Sequence, residues 1–326
     1  MNDDILLEIR NLSVKYTTDD EIKSAVNNLS VVLGKGETLG IVGETGAGKT
    51  TTALSIMRLI PDPPGEITNG EIIFERVNLL EISEKKMRKI RGKKISMIFQ
   101  DPMTSLNPVM TIGDQIAEVV ALHNKYSKAK SNIESVKILE TVGIPGDRFS
   151  EYPHQFSGGM KQRVGIAIAL ACNPLLLIAD EPTTALDVTI QAQILKLMEQ
   201  LKNKFQTSMI LITHDLGVVA EICNKVAIVY AGEIIEYGTL EHIFNNTKHP
   251  YAVGLFESIP NFNKKVKRLK PIEGFVPDPS SLPIGCNFYD RCKGSMEICK
   301  QNNPDIVEME SGHTVKCFKY QRNDAL

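Results

Sequence analysis

The residues with the clearest chemical potential in this chain form a glycine-rich segment between an apolar stretch and a helical pattern. The segment Gly43 to Thr50 matches G-x-x-x-x-G-K-[ST], the phosphate-binding P-loop pattern. Its glycines let the backbone approach phosphate closely, so that amide N–H groups and a helix N-terminus face the negative charge. Lys49 would then bind the β and γ phosphates, and the hydroxyl of Thr50 would bind Mg²⁺. The pattern predicts a nucleoside triphosphate site, and the alternative is a glycine turn with a chance lysine.

The predicted nucleotide-binding residues of this segment are Gly43, Glu44, Thr45, Gly46, Ala47, Gly48, Lys49, Thr50 and Thr51.

Two adjacent acids follow an apolar run that predicts a buried strand. The run is Leu175 to Asp180, and Glu181 comes next. Open α/β sheets keep their ligands at the carboxyl ends of such strands. Because side chains alternate, Asp180 is expected to join the Mg²⁺ shell and Glu181 to face the water beyond the γ-phosphate. The alternative is a solvated acidic turn.

A second anion-binding position is predicted at Ser157-Gly158-Gly159, which starts an apolar helical segment. Backbone N–H groups at a helix start, together with a hydroxyl, are suited to bind phosphate. The alternative is an ordinary serine N-cap followed by flexible glycines.

Three further side chains lie at the ends of predicted strands. Tyr16 is either packed in a strand or stacked on a nucleotide base. Gln100 follows the strand Ile95 to Phe99 and either reaches the metal and attacking water or serves in a turn. His214 follows the strand Ser208 to Thr213 and is either functional or an ordinary packed or surface residue.

Four of the six cysteines lie near the C-terminus, spaced C-x5-C-x6-C-x17-C. Zinc sites usually have shorter gaps between paired cysteines, and four widely spaced thiolates suit a [4Fe-4S] cluster. Structural Zn²⁺ and free thiols or disulfides remain alternatives. Arg291 and Lys293 flank one cysteine and are expected to favour its thiolate. The predicted cluster ligands are Cys286, Cys292, Cys299 and Cys317. The cluster is expected to stabilise the fold of the tail.

The elements that position these residues alternate between strand and helix patterns, which predicts an α/β fold. Strand patterns at residues 6–16 and 28–33 precede the glycine-rich segment. Helical periodicity dominates residues 106–149, and a helix is expected from about Val188 to Lys204. A hairpin at residues 225–237 is expected to close the core. The proline-rich tail has little periodicity, so its shape must come from something other than a large apolar core.

Composition excludes several classes of protein. A length of 326 residues predicts one large domain and a smaller one. The formal net charge of -2 gives no support for nucleic-acid binding. The acidic start lacks the cationic region of a signal peptide, and no run reaches the about 18 apolar residues of a membrane span. A cytoplasmic protein that can dock on a membrane protein is therefore expected.

Taken in order, the motifs resemble those of the ATP-binding subunit of an ABC transporter over about residues 5 to 240. The most specific is FSGGM at Phe156 to Met160, because other P-loop ATPases lack it. Met160 stands where glutamine is common in the family, which favours a partner that is a different subunit. The segments that carry the resemblance are Gly43 to Thr50, Gln100, Phe156 to Met160, Leu175 to Glu181, Thr184 to Asp187 and His214.

The resemblance implies a role for each site residue. Tyr16 would stack on adenine, and Glu181 would be the general base. Gln100 would contact Mg²⁺ and sense the transporter, while His214 would contact the γ-phosphate. In a head-to-tail dimer, Ser157 and Gly159 would bind the γ-phosphate of the nucleotide held by the opposing subunit. Gly158 and Asp187 would complete the nucleotide site.

The tail resembles the C-terminal extension of oligopeptide and dipeptide importer ATPases, which nickel importers share. It implies an ABC domain at 1–240 (mixed sheet, antiparallel β subdomain, helical subdomain at about 103–172) and an extension at 241–326. The expected function is ATP hydrolysis that powers peptide import, with a nickel importer or a non-transport ABC ATPase as alternatives. Expected partners are a second ATPase subunit, two permeases and an extracytoplasmic binding protein, with no nucleic acid, at the cytoplasmic face of the membrane.

Overall fold

The computed structural model describes residues 4–18, 21–101, 105–184, 186–258 and 271–321. Three predicted regions lie partly outside the described residues. They are the helical subdomain at 102–104, the motif 184–187 at residue 185, and the tail at 259–270. The chain divides into two compact units. The first unit contains Met1–Leu6, Leu33–Thr38 and Asn78–Thr213, and the second contains Leu7–Val32, Leu39–Val77 and His214–Leu326.

The elements are numbered here in chain order over the described residues. The strands are β1 Ile5–Thr17, β2 Ile22–Gly34, β3 Thr38–Val42, β4 Gly65–Phe74, β5 Val77–Asn78, β6 Ile95–Ile98, β7 Leu176–Asp180, β8 Ser208–Thr213, β9 Lys225–Tyr230, β10 Glu233–Thr239, β11 Ile306–Glu310 and β12 His313–Lys316. The helices are α1 Lys49–Met57, α2 Glu84–Ile90, α3 Ile112–Asn124, α4 Lys128–Thr141, α5 Gly158–Leu170, α6 Val188–Phe205, α7 Leu216–Ile222, α8 Leu240–Asn245, α9 Pro250–Glu257 and α10 Glu297–Gln301. Short 3-10 helices occur at Gly146–Ser150, Pro153–Gln155, Tyr289–Arg291 and Phe318–Tyr320.

The first unit contains three parallel strands in which β7 lies between β6 and β8. All residues of these strands are buried, as expected for apolar runs without alternation. The last register pair of β7 and β8 joins Asp180 to Ile212. The strands therefore bring the carboxyl end of β7, with its acids, next to β8.

The second unit contains a mixed sheet in which β3 runs parallel to β9 and β9 forms an antiparallel hairpin with β10. The predicted hairpin is confirmed. Strand β12 pairs antiparallel with β10, and β11 pairs with β12. Two strands of the tail thus extend this sheet, which the weak periodicity of the tail did not predict.

The same unit holds an antiparallel pair, β1 and β4, in register from Leu7 opposite Phe74 to Tyr16 opposite Gly65. Inward residues of β1 are buried in alternation, with an irregularity between Arg10 and Ser13. Both strands are longer than the patterns at residues 6–16 and 28–33 predicted, since β1 is Ile5–Thr17 and β2 is Ile22–Gly34.

A buried polar network joins the tail strands to β10. Glu236 and His313 are both fully buried, with the His313 Nε2 2.9 Å from a Glu236 carboxylate oxygen. Glu236 also accepts hydrogen bonds from the backbone N–H groups of Lys248 and His249 at 2.8 and 2.7 Å. Burial raises the pKa of Glu236 and lowers that of His249 to about 3. Through this network, β12 of the tail and the residues before α9 are joined to β10.

No helix in the described ranges is both long enough and apolar enough to cross a lipid bilayer.

Candidate functional site

The glycine-rich loop joins the end of β3 to the start of α1. A Cβ atom on Gly43 would lie 2.2 Å from the carbonyl oxygen of Val229, and one on Gly48 would lie 2.3 Å from that of Ala25. Gly46 and Gly48 also adopt positive φ angles of 81° and 94°, which favour glycine. Strands β9 and β2 therefore require glycine at positions 43 and 48 for steric reasons.

Lys49 lies at the first position of α1 and is 6% exposed. Its Nζ donates hydrogen bonds to the carbonyl oxygens of Gly43 and Glu44 at 2.8 and 2.9 Å, which holds the cation over the loop. The preceding residue, Gly48, offers no side-chain cap to α1, and such a helix N-terminus attracts anions. The hydroxyl-bearing Thr50 is exposed. A cation, a helix N-terminus and an exposed hydroxyl thus occur together, as a phosphate site requires.

Two other predicted residues belong to the same unit. The Tyr16 side chain is half-buried, and its ring lies against Gly65, where a Cβ atom would approach it to 2.8 Å. His214 is exposed directly after β8. Their roles towards adenine and the γ-phosphate stay predictions.

The acid pair ends β7 in the first unit. Asp180 is 2% exposed, whereas Glu181 is only half-buried and has a φ of 46°. A non-glycine residue in that region costs roughly 1–2 kcal/mol. The N–H of Glu181 donates to the carbonyl oxygen of Ile212 at 2.9 Å. The two acids therefore differ in exposure, with Asp180 buried at the end of β7 and Glu181 half-buried in the turn that follows.

Two side chains hold the carboxylate of Glu181. Its Oε2 accepts hydrogen bonds from the Gln100 amide at 3.1 Å and from the Thr184 hydroxyl at 2.9 Å. The structure therefore brings together Gln100 and Glu181, which sequence reasoning placed on separate strands. Sequence reasoning missed Thr184 as a partner of Glu181.

Ser157 is exposed and caps α5, accepting a hydrogen bond from the N–H of Met160 at 3.4 Å. Gly158 is also exposed, and Gly159 is half-buried. The cap is present while Ser157 and Gly158 are exposed, so the two interpretations of this segment are compatible. Asp187 caps α6 in the same way, accepting from the N–H of Ile190 at 3.0 Å.

Two contacts fix the surroundings of α5. The sulfur of Met160 accepts a hydrogen bond from Arg148 at 3.4 Å, and that guanidinium lies 4.3 Å above the Phe156 ring. The buried amide of Gln162 donates to the carbonyl oxygen of Pro182 at 2.5 Å. Sequence reasoning missed Gln162, which links α5 to the turn that follows Glu181.

The four C-terminal cysteines line one cavity of about 320 Å³, formed with residues that include His249 and Phe288. Within the described residues, no three His, Cys, Asp or Glu side chains are arranged to hold a metal ion. Burial raises the pKa of Cys286 to about 11 and also raises the pKa values of Cys292 and Cys317.

The expectation that flanking cations favour the Cys292 thiolate is therefore wrong for this geometry. Lys293 is 81% exposed, and the guanidinium of Arg291 binds a glutamate instead. Desolvation is the larger influence on the pKa of the Cys292 thiol.

The fold and these motifs define a P-loop ATPase of the ABC class, a protein that binds and hydrolyses ATP. The ABC transporter family model matches residues 26–184. Among solved structures, the dimeric post-hydrolysis state of the ATP-binding cassette MJ0796, bound to ADP and Pi, has a TM-score of 0.64 and 27% identity; the match covers 72% of this chain and 98% of that one. The structure of cbiO1 from Clostridium perfringens has a TM-score of 0.63 and 26% identity, and the match covers 78% of this chain and 96% of that one.

The chain belongs to the family of oligopeptide and dipeptide transport ATP-binding proteins. A family model for the oligopeptide/dipeptide transporter C-terminal region matches residues 235–299. The chain is 48% identical to the oligopeptide transport ATP-binding protein AppD of Bacillus subtilis, over 98% of both proteins. It is 50% identical to the dipeptide transport ATP-binding protein DppD of B. subtilis, over 96% of this chain and 94% of that protein.

Proposed function

We propose that this chain is the ATP-hydrolysing subunit of an importer of di- or oligopeptides, located peripherally at the cytoplasmic face of the membrane. The main support is the Glu181 carboxylate, held at the end of β7 by Gln100 and Thr184 in a chain that also has a complete phosphate loop. The relatives are named for oligopeptide and dipeptide transport, which favours peptides as the cargo.

In this proposal each site residue contributes position or charge. Lys49 compensates the charge of the β and γ phosphates, which needs no covalent chemistry. Thr50, Asp180 and Gln100 would hold Mg²⁺, and oxygen donors suit that ion; bound there, it neutralises charge on the phosphates. Glu181 orients the attacking water and accepts its proton. Tyr16 and His214 would contact adenine and the γ-phosphate.

The exposed Ser157 at the start of α5 supports a head-to-tail dimer. Its hydroxyl, with Gly158 and Gly159, would bind the nucleotide on the opposing subunit, and Asp187 would complete that site. The solved relative MJ0796 is described as dimeric, which is consistent with this arrangement. Met160 in place of glutamine favours a different chain as the partner ATPase. Two permeases and an extracytoplasmic binding protein would complete the importer.

We further propose that the four C-terminal cysteines hold a [4Fe-4S] cluster, with Zn²⁺ as the alternative. Their lining of one cavity fits a polynuclear cluster, whose ligands stand further apart than those of a single ion. Soft thiolates suit either occupant. Within residues 241–326, the proposed extension beyond the ABC domain at 1–240, the cluster would stabilise the fold.

Replacing Glu181 by Gln tests the proposed base. Because the amide cannot accept the proton, we expect the ATPase rate to fall roughly 10²- to 10⁴-fold. Binding of ATP should remain, and an ATP-dependent dimer should accumulate in size-exclusion chromatography. Glu199→Gln, at an exposed position of α6, is the matched control and should keep the wild-type rate. Normal turnover by Glu181→Gln would refute this role.

A further inference from the structure

The side chain of Arg291 is nearly buried and directed at the phosphate loop. It is 5% exposed and forms a bidentate ion pair with Glu44, in which Nη1 and Nη2 each lie 3.1 Å from one carboxylate oxygen. It also donates to the carbonyl oxygens of Glu273 and Ile272 and to the Tyr230 hydroxyl. All five N–H donors of the guanidinium are thus used, and this geometry fixes the planar group.

A second contact holds the backbone at the same position of the loop. The N–H of Glu44 donates to the Tyr251 hydroxyl at 3.0 Å, and Tyr251 is fully buried. Its ring packs against Tyr230 of β9 and Phe288 of the tail, with centroid distances of 4.6 and 5.4 Å. One loop residue is therefore held through both its side chain and its backbone by residues that follow the ABC motifs in sequence.

The cysteine-rich turn sets the position of Arg291. The residue ends the 3-10 helix Tyr289–Arg291, which lies between Cys286 and Cys292. The N–H of Cys286 donates to the carbonyl oxygen of Cys299 at 2.7 Å, so this turn is tied to α10. A displacement of the turn would move the guanidinium away from Glu44.

We propose that Arg291 and Tyr251 are positioning residues for the nucleotide, forming a clamp on Glu44 that pre-organises the phosphate loop. The inference rests on the proposed function and deepens it. Loop N–H groups bind phosphate best when they are already oriented, because ordering them on binding costs affinity. Lys49 also donates to the carbonyl of Glu44, so the clamped residue is in contact with the phosphate-binding cation. The C-terminal extension therefore sets the affinity for ATP.

A double-mutant cycle on Arg291 and Glu44 tests the clamp. We expect Arg291→Gln and Glu44→Gln each to weaken binding of a fluorescent ATP analogue roughly 10- to 100-fold, as expected for a lost charged hydrogen bond. The double variant should be no weaker than the weaker single one, because both remove one interaction. KM for ATP should rise with little change in kcat, since the base is untouched. Lys293→Gln, an exposed cation two residues away, is the control and should behave as wild type.

Two further variants keep the test decisive if Arg291→Gln fails to fold. Tyr251→Phe removes the acceptor of the Glu44 N–H but keeps the ring packing, and a several-fold weaker affinity is expected. Arg291→Lys keeps the charge without the bidentate geometry and should restore affinity only in part. Unchanged affinity in Glu44→Gln and Tyr251→Phe, or additive effects in the cycle, would overturn the clamp. A wild-type chain that binds ATP with the expected cycle but never hydrolyses it would instead count against the proposed function.

Discussion

At the scale of single residues, Glu181 is held by a small and specific set of contacts. It adopts a positive φ at the end of β7, and backbone strain of this kind often occurs at functional positions. Gln100 and Thr184, from different parts of the chain, both donate to the same carboxylate oxygen. The orientation of the base thus depends on two neighbours as well as on its own turn.

Replacing Thr184 by Val tests this dependence. The substitution keeps the shape of the side chain but removes a hydrogen bond to a charged group, which is worth about 1.5–3 kcal/mol. We expect kcat to fall by about 10- to 100-fold while KM for ATP stays near its wild-type value. Thr184→Ser retains the hydroxyl and should recover most of the rate. An active Thr184→Val enzyme would show that the hydroxyl does not position the base.

At the scale of elements, the start of α5 has two roles that sequence reasoning treated as alternatives. The Ser157 hydroxyl caps the helix, while the residue and Gly158 are exposed. A cap accepts a hydrogen bond from the helix, whereas phosphate binding requires the hydroxyl to donate outwards. Both are chemically possible for one serine, since a hydroxyl is donor and acceptor.

The two roles can be separated by substitutions that keep the cap. Asn and Asp are both good N-caps, so the free energies of unfolding of Ser157→Asn and Ser157→Asp should lie within about 0.5 kcal/mol of the wild-type value. Only Asp places a negative charge where the opposing subunit's phosphate is expected. We therefore expect Ser157→Asp to abolish ATP-dependent dimerisation, measured by light scattering in the Glu181→Gln background, and Ser157→Asn to weaken it less. Equal dimerisation by both variants would indicate a purely structural cap.

At the scale of the whole molecule, the C-terminal segment is part of the second unit and not a detached tail. Strands β11 and β12 extend the sheet of that unit, and the buried pair of Glu236 and His313 joins them to β10. The cysteine cavity and the clamp on Glu44 lie on the same segment. Under the proposed clamp, we expect order in this segment to be coupled to the order of the phosphate loop.

Metal analysis of the wild-type chain and of a cysteine variant provides the test at this scale. We expect anaerobically purified protein to contain about four iron atoms and four sulfides per chain. Cys299→Ser should lose them, and its melting temperature should fall by about 5 °C or more, because a bound group stabilises only the folded state. Cys172→Ser, at a cysteine outside the cavity, should match wild type. About one zinc per chain, without iron, would favour the alternative Zn²⁺ site.

The local motifs were predictable because their chemistry depends on near neighbours in sequence. The spacing of Gly43, Gly46, Gly48 and Lys49 predicted a loop between strand and helix, and the apolar run before Asp180 predicted a buried strand; the structure has both. The helix expected from about Val188 to Lys204 is α6, whose observed bounds are Val188–Phe205. Strand lengths were less accurate, because edge residues of β1 and β2 are polar and carry little periodic signal.

The sequence by itself determined the class of ATPase, since a nucleotide site is built from contiguous backbone and a few side chains next to it. Only the tertiary structure decided what surrounds those motifs. Gln100 meets Glu181 across 81 positions of sequence, and Arg291 meets Glu44 across 247. No periodic pattern records such pairs, because a hydrogen bond between distant residues depends on how strands and turns pack. The same reason explains the thiols: burial in the folded chain, and not the adjacent cations, governs their pKa values.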